Sequence, residues 1–170
     1  MAISLELRTC RLREGTTKIK NPFDFLGGGE IEVPDDDGLS SDEKNAVKAV
    51  LDMIAGPQPP TEYVDWSKEF DDGGMVEVWA CGLNDDDVVQ TISIIIWRRS
   101  PFVGMLLFEL SRRGNLAVVT QVEGIGPWVT SAEQLNAVQG RWPAAKLVST
   151  AAELAKNVAR SRDELDVDVD

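Results

Sequence analysis

A chain of 170 residues with 43% hydrophobic and 27% charged side chains has the size and composition of one globular domain, and is too apolar to be a disordered chain. It carries a formal net charge of −12 and no histidine. That absence removes the commonest general base, the commonest zinc ligand and the usual partner of a nucleophilic serine or cysteine.

The N-terminal residues lack the basic, apolar and small-residue succession of a secretory signal, so a cytoplasmic location is expected. Ile3–Arg13 alternates apolar and polar residues and predicts a half-buried strand. A Gly-, Pro- and Asn-rich stretch follows and reads as a long irregular connection, with a short strand at Glu30–Val33 inside it. Gly27, Gly28 and Gly29 lead into Glu30-Ile31-Glu32 rather than Lys-Ser/Thr, which excludes a phosphate loop.

Ser40 and Glu43 have capping-box spacing, and Val47, Val50, Leu51 and Ile54 follow on one helical face. Gly56–Pro60 ends that helix. The stretch from Thr61 to Gly74 is acidic with interleaved aromatics and reads as a surface loop or single turn. From Met75 the pattern becomes strand-like, and four runs separated by short polar linkers predict an antiparallel meander ending near Val122. Within it lies the most apolar stretch, Thr91–Leu110. Arg98-Arg99 and Pro101 interrupt it well short of the ~20 residues that span a bilayer, so it reads as a hairpin.

Ser131 and Gln134 repeat the capping-box spacing and predict a short helix ending near Gly140. A longer helix is expected from about Pro143, with Leu147, Ala151, Leu154 and Val158 as its stripe. The expected architecture is α+β: an antiparallel meander sheet of about five strands, packed by one central and two C-terminal helices. Residues 1–161 form the domain and residues 162–170 an acidic, frayed tail.

Charge placement narrows the function. Residues 21–97 hold 18 acidic and 3 basic side chains, a field that repels nucleic acids and anionic membranes and attracts basic partners. The primary expectation is a non-enzymatic acidic binding module, of the inhibitor, immunity or chaperone kind, for a basic protein. Its candidate contacts are Tyr63, Trp66 and Phe70 with Asp71, Asp72, Asp85, Asp86 and Asp87. The second expectation is a self-assembling subunit with Trp128 and Trp142 as interface anchors. A carboxylate- or metal-dependent enzyme is the third, supported only by the abundance of acid. No catalytic residue, metal ligand or cofactor is assigned, because the aspartate runs lack the spacing of a calcium loop. Trp79 and Trp97 lie inside strands and read as core, and Cys10 and Cys81 as buried thiols.

Overall fold

The computed structural model describes residues 2–20, 29–56, 63–84, 88–120, 122 and 125–163. The fold is α+β. Its main sheet has seven strands: β1 (Ile3–Thr9), β4 (Tyr63–Glu69), β5 (Met75–Cys81), β6 (Thr91–Arg98), β7 (Leu116–Thr120), β8 (Trp128–Val129) and β9 (Lys146–Leu147). Their order is β4-β5-β6-β1-β7-β8-β9, antiparallel throughout except the parallel pair β8–β9. Two further strands, β2 (Thr16–Lys20) and β3 (Glu30–Pro34), form a separate ribbon with Lys18 opposite Glu32. The helices are α1 (Ser41–Ala55), α2 (Pro101–Gly114), α3 (Ala132–Val138) and α4 (Ala151–Asp163).

The expected meander is corrected at its centre. Thr91–Arg98 is a strand as expected, but the following apolar run is helix α2, so Thr91–Leu110 is not a hairpin. The helix begins where local chemistry dictates. The Ser100 hydroxyl accepts from the Val103 N–H at 3.3 Å, and Pro101 fills the first turn, where its missing N–H costs nothing. Val103, Leu106, Leu107 and Leu110 then repeat at helical spacing and are all buried. Asn115 closes the helix in the left-handed conformation at φ 53°.

Because β1 is antiparallel to both β6 and β7, those two strands are parallel to each other. Helix α2 crosses over between them, with β1 inserted in the gap. The acidic segment Tyr63–Glu69, expected to be a loop, is edge strand β4, paired along its whole length with β5. A chain that alternates Trp66 inward with Ser67 outward satisfies strand geometry even when acidic. The last helix starts later than expected. Leu147 lies in β9 and is 43% exposed, while Leu154 and Val158 are buried in α4. The acidic tail from 164 onward and Pro57–Pro60 lie outside the described residues.

Burial places the layers. One sheet face presents Leu5, Leu7, Val76, Val78, Ile92, Ile94, Ile96, Leu116 and Val118 to α1, α2 and α4, forming the main core. Each such side chain withdrawn from water contributes roughly 1.5–3 kcal/mol. Gly104 brings α2 against α4: a Cβ there would stand 2.9 Å from the Ala155 Cβ. On the opposite face, α3 covers only the β7–β8 end. There Leu135 and Val138 pack with Ala117, Val119, Val129, Trp142 and Cys10.

Candidate functional site

The second face of the sheet is left open over β4, β5, β6 and β1 among the described residues. Strand alternation assigns Met75, Glu77, Trp79 and Cys81 of β5 to this face, with Ser93, Ile95 and Trp97 of β6 and Ser4, Glu6 and Arg8 of β1. Trp79 is 46% and Trp97 49% exposed, so the expectation that both are core is corrected. Cys81 is exposed too, whereas Cys10 is buried. Burial, reinforced by the Glu43 charge, pushes the Cys10 thiol up to about 12, and it stays protonated.

Register fixes the layout of the open face. Trp79 faces Ser93, Glu77 faces Ile95, and Met75 faces Arg98. The pairing skips Trp97, because a bulge between Met75 and Val76 places two β6 residues against one of β5. The result is a diagonal stripe from Trp79 across Ile95 to Trp97, with Glu77 between the indoles. On the other side of β5, Tyr63, Asp65, Ser67 and Glu69 stand opposite Cys81, Trp79, Glu77 and Met75.

The acids of this face differ in their partners. Glu6 is paired with Arg8 at 2.8 Å, and Glu69 with Arg98. The Glu77 carboxylate has no hydrogen-bond or ion-pair partner among the described residues.

The residues anticipated from sequence fall in several places. Tyr63 opens β4, paired with Cys81 of β5. Trp66 and Phe70 are 7% and 6% exposed and belong to the main core beneath it. Asp71 and Asp72 form the exposed β4–β5 turn. There the Asp72 carboxylate accepts the Gly74 N–H at 3.1 Å and the Phe102 N–H at 3.0 Å, bracing the start of α2, where Phe102 stacks on Phe70 with ring centroids 5.9 Å apart. Asp85, Asp86 and Asp87 lie outside the described residues. Trp128 is in the main core and Trp142 in the smaller cluster under α3, so the sheet separates them. Sequence reading missed Trp79 and Trp97 as surface residues. The available signal was the alternation in Met75–Cys81, where Val76, Val78 and Ala80 share the opposite parity and claim the core.

No protein-family model, curated protein or solved structure matches this chain.

Two clefts lie elsewhere. One of about 630 Å³ sits beside the start of α1 and is lined by Arg11, Lys44, Lys48 and Leu83 among others. Its Arg11 is paired with Glu43 at 3.0 Å, and Lys44 donates to the Gly82 carbonyl at 3.1 Å. The other, about 610 Å³, separates the β1–β2 connection from the end of α3. Its Arg13 is paired with Asp37 and its Arg141 with Asp36.

Among the described residues, the carboxyls with displaced titration are held low. Burial pushes Glu43 up, but hydrogen bonds from Arg11, the Ser40 N–H and Asn115 outweigh it. At exposed Asp72 local desolvation by its neighbours pushes the carboxyl up, and the donors from the Phe102 N–H, the Ser100 hydroxyl and the Gly74 N–H outweigh it. Arg112 holds Glu109 low, and Glu133 is held low by its own N–H. A carboxyl serving as proton donor needs the opposite displacement. Among the described residues no cluster of three metal-ligating side chains occurs, and no helix is long and apolar enough to cross a membrane.

Proposed function

We propose that this chain is a non-enzymatic protein-binding module that engages a basic partner through the open half of its sheet. The observation that carries the reading is the Trp79–Ile95–Trp97 stripe with Glu77 unpaired beside it. A sheet face bearing two half-exposed tryptophans has the aromatic content of an interface core rather than of an ordinary solvated surface. Its surplus charge is negative, matching the acidic segment from 21 to 97. Complementary charge steers a basic protein to such a face and makes the association salt-dependent.

The test is capture on the immobilised protein at low salt with release by high salt, run beside a Trp79→Ser/Trp97→Ser double variant of unchanged thermal stability. A discrete basic protein retained by the native chain and lost by the variant is the expected result. Equal retention by both chains, or retention that ignores salt, rejects the open face as the binding surface.

A further inference from the structure

Among the described side chains, the open face offers one position where charge and aromatic surface meet without an internal partner. We infer that Glu77, flanked by Trp79 and Trp97, is the seat for an arginine guanidinium of the partner. This rests on the open-face reading above and specifies what that face recognises.

Glu77 is ringed by its sheet neighbours. Ile95 lies directly opposite on β6 and Ser67 directly opposite on β4. Trp79 is two residues along the same strand face. Trp97 is the diagonal cross-strand neighbour, at a separation of about 7–8 Å that aromatic and long side chains bridge. The nearby acids Glu6 and Glu69 already have arginine partners, so among the described side chains of this face Glu77 is the carboxylate left uncompensated.

Three features select arginine. A guanidinium lies flat on an indole, pairs with a carboxylate through two parallel N–H donors, and is more weakly hydrated than an ammonium. The two indoles are set by register some four residues apart, about 13 Å. They therefore flank the carboxylate and do not close into the cage that encloses a quaternary ammonium. A second copy of this chain is a poor occupant, because Arg8 and Arg98 on this face are engaged and its own Glu77 adds repulsion.

The probe is a Gly/Ser heptapeptide containing two arginines, compared with its lysine and citrulline counterparts at low salt. The readout is the indole N–H resonances of Trp79 and Trp97, assigned through Trp79→Phe and Trp97→Phe. The arginine peptide is expected to shift both resonances and to bind about tenfold more tightly than the lysine peptide, with the citrulline peptide silent. Glu77→Gln keeps the shape of a half-buried side chain that has no ion-pair partner among the described residues, and should weaken binding about tenfold without changing the melting temperature. Equal binding of the lysine and arginine peptides overturns the arginine assignment and leaves the basic-partner reading standing. Binding that leaves both indoles unmoved overturns the seat and moves the module's contact surface elsewhere. No binding by any cationic peptide overturns the seat and the basic-partner reading together.

Discussion

Glu43 shows how one side chain joins three parts of the chain. As the third residue of α1 it closes the capping box by accepting the Ser40 N–H at 2.7 Å, and it also accepts from Arg11 and from the Asn115 side chain at 3.0 Å. It thus ties the end of β1, the start of α1 and the α2–β7 turn. Its folded-state titration lies below the ordinary value, so its contribution is complete above the ordinary carboxylate range and is lost as pH falls through the depressed folded value. Glu43→Gln is expected to cost about 2 kcal/mol near neutrality, with the difference from the native chain shrinking toward acid. Urea midpoints measured across pH check this, and a constant difference refutes it. Gly126 is constrained differently. A Cβ there would stand 2.0 Å from the Ala144 carbonyl oxygen, a backbone atom with no rotamer to escape through. Gly126→Ala should therefore destabilise by about 3 kcal/mol. A variant as stable as the native chain in urea shows that the β8 connection yields easily.

Helix α2 is the element whose misreading changes the topology, and its stability is testable at both its cap and its contact with α4. Ser100→Ala removes the N-cap and should cost about 1 kcal/mol in chemical unfolding. Gly104→Leu places bulk where α4 approaches within van der Waals contact. It should strip hydrogen-exchange protection from α4 while β1 and β6 keep theirs, and loss of protection throughout rejects a separable α4. The start signal was legible, since Ser-Pro before an apolar run is a helix N-terminus signature. It was outweighed because Phe102–Phe108 is nearly continuous in apolar residues, and a short run of that kind fits a buried strand or a buried helix equally well. Helices α1 and α3 were readable because Ser40–Glu43 and Ser131–Gln134 are reciprocal caps, and both form as expected. Strand β4 was not readable as sheet. Its pairing with β5 is a long-range fact that Tyr-Val-Asp-Trp-Ser-Lys-Glu does not announce.

At the scale of the whole molecule, the class α+β followed from sequence, while the seven-strand order did not, because strand order is set by which faces find cover. The open face follows the same logic. Composition revealed an acidic, tryptophan-rich chain, but only register shows that Trp79 and Trp97 share one surface with Glu77, while Trp66 and Trp128 are spent in the core. Apposing two copies through this face sets like charges together, so light scattering should report a monomer at low and at high salt. A salt-insensitive dimer that dissociates on Trp97→Ser replaces the docking reading with self-assembly.

Strand β1 sits between β6 and β7, yet it is synthesised some eighty residues before the first of them. During synthesis its native sheet partners are therefore absent until β6 and then β7 have been made. Among the described residues, the β4–β5–β6 ladder and the β7–β8 end are joined within the sheet only through β1. Assembly of this sheet is thus expected to finish late, since pairing β1 closes long stretches of chain. Deleting Ile3–Thr9 should leave two half-sheets prone to aggregate rather than a smaller version of the same domain.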